Sequence, residues 1–265
     1  MARTERGARL TQEHKQKQEL LAVQTETKGQ QLWRELYVGD RLERPQVEAW
    51  LDEAAALEVR QAEASRRLAA EYVREFTSVE NGKVPEIVTP VIDPVEARQV
   101  ADVNGPIATY QRIGRGASPM AALKKGEVRF AASLAKFARD TGRGLVVQTG
   151  FRDAGAGGRW RRVTDGQPCA FCAMIAGRGP VYSQETVYFE AHNRCGCEPE
   201  IVYGTWEPNG MEEQWLNAYL DAAEAADRAG EVRVAPVMKA GKTRDTILYR
   251  MRRLHPDLFS DGVTE

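Results

Sequence analysis

Cysteine is scarce in this chain: four residues in 265, none of them before Cys169. Histidine is scarcer, with three. His14 and His255 stand near the two ends, so His192 alone lies in the body of the sequence. No H-E-x-x-H, no G-x-S-x-G and no G-x-G-x-x-G frame occurs, which removes the usual signatures of a zinc protease helix, a serine nucleophile turn and a phosphate loop. No run of about 18 apolar residues is present, so no membrane span is expected. Neither sign of charge dominates, with 37 Lys/Arg against 38 Asp/Glu. Bulk charge therefore does not drive the chain onto nucleic acid or acidic lipid. The opening MARTERGARLTQEHKQKQ lacks the apolar core of a signal peptide. The protein is expected to stay inside the cell that makes it, where clustered cysteines are metal ligands more often than disulfides.

What is present is mostly helical periodicity. Residues 1–18 are basic and almost without apolar side chains, and read as a flexible arm with His14 solvated. Residues 19–80 form an N-terminal helical region. Its first helix has a thin stripe (Leu20, Leu21, Val23, Leu32, Trp33, Leu36) that needs a partner element. From Pro45 to Phe76 the stripe is stronger, through Val47, Trp50, Leu51, Ala54, Leu57, Leu68 and Tyr72. ENGKVPEIVTPVIDP breaks the pattern and opens a central helical region, 81–143. There Asp93, Pro94 and Glu96 start one helix and Ser118 and Pro119 another, which DTGRG ends near Gly142. Residues 144–205 form a Cys/His module, with GLVVQTG as a short buried strand. Residues 206–265 hold the C-terminal helices, one started by Asn209 and Glu212 and one basic before Pro256. The fold class is mainly α with a small β-containing, zinc-knuckle-like module, an α+β arrangement.

The chemistry lies in PCAFCAMIAGRGPVYSQETVYFEAHNRCGC. Cys169 and Cys172 have the spacing that lets two thiolates of one turn face one ion, and His192, Cys195 and Cys197 form a second group, H-x-x-C-x-C. Zinc takes four such ligands at tetrahedral corners, commonly as two pairs from separated turns. Five candidates compete for four places. Two other readings stand beside this one. The cysteines pack as buried thiols or disulfides, or one thiolate pairs with His192 as a Cys–His dyad, with Asn193 or a carboxylate orienting the ring. No cysteine-protease motif surrounds Cys169 or Cys172, Ser183 lacks a nucleophile turn, and Glu185, Glu190 and Glu198 are the nearby carboxylates. No catalytic residue is assigned. Just before this stretch, GFRDAGAGGRWRRVTDGQP places Arg152, Arg159, Arg161 and Arg162 around Trp160. These offer phosphate contacts and a stacking ring, or a half-exposed strand RWRRV with Trp160 and Arg162 on one face and Arg161 and Val163 on the other. Arg250, Arg252 and Arg253 are candidates for the same positive face.

Read together, GRWRRVTDGQPCAFCAMIAGRGPVY and HNRCGC resemble the MuF-like minor head proteins of tailed bacteriophages: a Trp strand, a C-x-x-C, then H-x-x-C-x-C before a final strand. PCAFCAMIAGRGPVY is similar to the gene-fifteen-type proteins of phages infecting actinobacteria, described as minor capsid proteins or capsid maturation proteases. The resemblance covers about Trp160 to Tyr203, and Cys169, Cys172, His192, Cys195 and Cys197 match its signature. Gly196 departs from the arginine often found there. The resemblance implies a protein of head morphogenesis, in a few copies near the portal, in the procapsid or virion interior, and the Cys/His spacing adds that it is zinc-stabilised. Its expected partners are portal, scaffold or major capsid protein, and packaged DNA. The rival implication is a protease that trims coat or scaffold protein. A small zinc nucleic-acid-binding protein is a weaker third.

Overall fold

Three long helices carry most of the core. The computed structural model describes residues 2–36, 42, 44–153, 155, 157–181, 189–230 and 246–262. Helix α1 (Glu5–Leu36) runs antiparallel to α2 (Arg44–Asn81), and α5 (Pro119–Arg152) packs against both. Two short helices, α3 (Pro94–Asn104) and α4 (Pro106–Gly114), join α2 to α5. Asp93 caps α3 by accepting from Val95 N, and Ser118 caps α5 by accepting from Ala121 N, as their residue types require. At this end of the bundle Trp33, Trp50 and Phe130 meet ring to ring, with centroids 4.7–5.9 Å apart.

The buried face of α1 is largely polar, and this overturns the expectation of a flexible arm over residues 1–18. Thr11, His14, Lys15, Gln18 and Thr25 are all buried. Each polar group on this face that finds a partner avoids the cost of dry burial. Gln18 exchanges hydrogen bonds with Ser65, donating to its carbonyl at 3.0 Å and accepting from its hydroxyl at 2.8 Å. Thr25 donates to Gln61 at 3.2 Å, and Glu80 accepts from the backbone of Arg3 and Thr4. His14, expected to be solvated, is 3 % exposed and stacks on Tyr72 at 4.4 Å. The partner that α1 needs is thus supplied within the chain by α2 and α5.

A second difference concerns α5. It does not stop near Gly142 but runs to Arg152, so GLVVQTG is helix and not strand. Gly142 serves packing: a Cβ there would lie 2.4 Å from the Ser65 hydroxyl. Leu145 and Val146, just beyond it, join Tyr72, Phe76, Ile201 and Tyr203 in one apolar cluster. This cluster fastens the bundle to the module that follows.

That module has two strands, β1 (Trp160–Val163) and β2 (Glu198–Ile201), paired antiparallel with Arg161 opposite Glu200. Helix α6 (Ala170–Arg178) sits between them in sequence. It packs on α7 (Gly210–Arg228) and α8 (Thr246–Leu254) through Ala170, Ala173, Ala176, Trp215, Ala218, Ala222, Met251 and Phe259. Helix α7 starts with a full capping box of Asn209 and Glu212, as read from the sequence. No described helix is long and apolar enough to cross a membrane.

Two buried titratable groups in the bundle make its stability depend on pH. Burial pulls His14 down to about 4. Burial, followed by the charge of Glu96, pushes the Glu58 carboxyl up to about 9. Neither carboxylate oxygen of Glu58 has a partner among the described residues. Unfolding frees His14 to take up a proton below its ordinary 6.5, so its contribution is lost as pH falls from there toward 4. Unfolding frees Glu58 to lose its proton above 4.5, so its contribution is lost as pH rises from there toward 9. Each acts with a limiting slope of about 1.4 kcal/mol per pH unit. Glu58→Gln is expected to leave the urea midpoint little changed near pH 5 and to raise it at pH 8. Equal midpoints at pH 8 would show that Glu58 is not held neutral.

Candidate metal centre

The two cysteine groups are brought together by opposite ends of the module. Cys169 is the N-cap residue of α6 and Cys172 lies in its first turn, where the helix end favours a negative sulfur. The cap lacks a side-chain bond of its own. Asp261, from beyond α8, supplies one by accepting from Ala170 N at 2.8 Å, and Arg252 donates to the same carboxylate at 2.6 Å. The second group sits in a tight turn closed by Cys195 N donating to His192 O at 3.2 Å. Arg194 in this turn has φ 62°, a left-handed value that costs a non-glycine residue energy, and its side chain is anchored on Glu26 of α1. A Cβ at position 196 would lie 2.4 Å from the exposed Asp165 carboxylate, which would have to swing aside. Cys197 leads directly into β2.

All four cysteines are free and buried, between 1 % and 8 % exposed. Their sulfurs form two ligand groups that share Cys172: Cys169, Cys172 and His192, and Cys172, Cys195 and Cys197, the ligand atoms in each lying within 4.8 Å of one another. Cys172 and Cys195 are 3.7 Å apart. His192 is exposed, and its Nδ1 donates to Asn193 O at 2.7 Å. That bond makes Nδ1 the protonated nitrogen and leaves the Nε2 lone pair to accept a metal, as in many metal-binding imidazoles.

The thiols do not titrate alike. The hydrogen bond from Cys172, with help from His192, pulls the Cys169 thiol down to about 6. Cys195 is lowered by hydrogen bonds from Cys172 and Cys197 and by the charge of Arg143. Cys172 is raised because it is the proton donor to Cys169, Cys195 and Cys197. Its bond draws Cys197 down, but Cys195 and burial outweigh it and hold Cys197 at about 12. Burial lowers His192, yet the Asn193 carbonyl and Cys169 prevail and raise it. Sulfurs that share protons around one centre offer the same lone pairs to a divalent ion, whose charge replaces the protons. The buried set Cys172, Cys195 and Cys197 can hold a metal, with a further ligand at its outer edge.

Arginines that no spacing rule singles out lock this turn to the bundle. Arg143 of α5 donates to Cys195 O at 2.6 Å and Cys197 O at 2.7 Å. It also pairs with Asp140 at 2.8 Å. Beside it Arg139 pairs with Glu198 at 2.6 Å, both nearly inaccessible. On the same face of the sheet as Glu198, Arg161 bridges Glu200 at 2.7 Å and Glu212 at 2.6 Å, and Thr11 donates to Glu200.

The alternation read for RWRRV is observed, but its exposure is not. Trp160 and Arg162 share a face against Phe189, while Trp160, Arg161 and Arg162 are between 1 % and 8 % exposed. They cannot form the surface expected to meet nucleic acid or a partner. Arg152 is exposed and Arg159 half-buried, its guanidinium donating to Gly204 O. Glu198 is engaged by arginines and Glu190 is exposed. Ser183 and Glu185 lie outside the described residues.

Among known families, a model described as VG15 protein matches residues 4–222. No curated protein and no solved structure gives a significant match.

Proposed function

This chain belongs to the phage-associated VG15 family, and from that premise we propose a structural part in head morphogenesis for it, as a minor, MuF-like head protein closed by one zinc ion. The observation that carries this reading is the burial of Cys172, Cys195 and Cys197 in a turn whose carbonyls are held by Arg143. A catalytic zinc keeps an open position and a free base, whereas a structural zinc is enclosed by its ligands. The fourth position falls to Cys169 or His192 at the outer edge. Two four-residue strands and one short helix bury little apolar area, so a metal adds the stability that such a module lacks. Portal, scaffold or major capsid protein are the partners this reading gives the helical bundle. Packaged DNA would meet Arg152 and Arg159, not the buried strand arginines.

Quantitative mass spectrometry of procapsids and mature particles tests the reading. The chain is expected in procapsids at far fewer copies than the coat protein. Its absence from both particles, with the gene intact and expressed, would overturn it.

One observation favours the protease reading. Cys169, with its lowered thiol, touches His192 on the rim of an open groove of about 720 Å³ that Lys136, Phe171, Leu248 and Arg252 also line. Coat or scaffold protein shortened on co-expression, and left intact with Cys169→Ser while zinc is retained, would make the thiolate a nucleophile.

A further inference from the structure

We propose that Arg162 is the counter-ion of the metal–thiolate cluster and a determinant of its affinity, an inference that rests on the zinc reading above. Arg162 is 1 % exposed. The other buried arginines of the module each have a carboxylate: Glu198 for Arg139, Asp140 for Arg143, Glu200 and Glu212 for Arg161. Among the described residues none lies within ion-pair distance of Arg162. Its Nη1 points instead at sulfur, 3.4 Å from Cys172 Sγ and 3.9 Å from Cys195 Sγ. Its Nη2 donates to Glu190 O at 2.7 Å, and its Nε has no partner among the described residues. The guanidinium carbon lies 3.8 Å from the centre of the Phe189 ring and 5.7 Å from that of Phe171.

A buried guanidinium without an anion is strongly unfavourable, and the ring faces of Phe189 and Phe171 do not replace an anion. Among the described residues, the negative charge that Arg162 faces can come only from the sulfurs of Cys172 and Cys195. A divalent ion with three thiolates and an imidazole carries one negative charge, and with four thiolates two. Either shell gives Arg162 a counter-charge. Arg162 therefore stabilises the negatively charged, loaded site. Because it reaches Cys172, the sulfur common to both ligand groups, it also aims the central ligand.

Arg162→Met keeps an unbranched apolar stem and removes the charge, and Arg162→Lys restores a charge. Zinc affinity is measured on the full chain by competition with a chromophoric chelator. The sulfur-to-metal band of the cobalt(II) form reports the number of thiolates. Arg162→Met is expected to weaken zinc binding about 10- to 100-fold with the cobalt band retained, and Arg162→Lys to recover part of the loss. Unchanged affinity in Arg162→Met would overturn the proposal while leaving the zinc reading in place. Wild-type protein that takes up no zinc would overturn both. If Arg162→Met does not fold, Arg162→Gln against Arg162→Lys makes the same comparison, and equal affinities in that pair would count against the proposal.

Discussion

Replacing Cys172 with serine is expected to empty the metal site, taking zinc from about one ion per chain to nearly none. Cys172 is the sulfur common to both ligand groups, and it contacts Cys169, Cys195 and Cys197. Losing it removes the sulfur that joins the two groups and leaves two separate pairs, Cys169 with His192 and Cys195 with Cys197. The disturbance should stay in the module. The cluster around Trp33, Trp50 and Phe130 contains none of its residues, so far-UV circular dichroism of the long helices should largely persist while near-UV signals from Trp160 change. His192→Ala is the informative contrast. The imidazole is exposed and belongs to one group only, so its loss should weaken binding by about tenfold or less. A Cys172→Ser protein with full zinc occupancy would place the metal elsewhere.

Glu198→Ala is expected to be the most destabilising substitution outside the ligands, by about 3–5 kcal/mol. The carboxylate is 1 % exposed and pairs with Arg139 at 2.6 Å, with Arg143 at 3.6 Å. Removing it strands buried guanidinium charge that has no access to water. The damage should also spread to the metal turn, because Arg143 holds the carbonyls of Cys195 and Cys197. Glu48→Ala breaks a pair with Arg98 in which both side chains are well exposed, and should change stability by about 1 kcal/mol or less. Urea unfolding of the two variants measures the difference. Comparable small losses would mean that the Glu198 network is no stronger than a surface pair.

The clustering of the four cysteines with His192 was legible in the sequence because these residues come in two short groups, and spacing within a turn is local information. The Asp93, Ser118 and Asn209 caps were legible for the same reason. The bundle's first helix was not. Hydrophobic periodicity is blind to a buried face made of Thr11, His14, Lys15, Gln18 and Thr25, whose burial is made possible by partners such as Ser65, Gln61 and Tyr72 far along the chain. The glycine at 142 looked like a helix end, yet it marks close contact with Ser65. The strand arginines looked like a nucleic-acid surface because their partners are remote: Glu200 and Glu212 for Arg161, and two sulfurs for Arg162. Arg139 and Arg143 carried no signal, since a helix with scattered arginines usually presents them to solvent.

X-ray absorption at the zinc edge, on the full chain purified under reducing conditions, bears most directly on the metal-closed module. The expected result is about one zinc per chain, with three or four sulfurs at about 2.3 Å and at most one nitrogen. Protein without stoichiometric metal, or a first shell made mainly of nitrogen and oxygen, would contradict it.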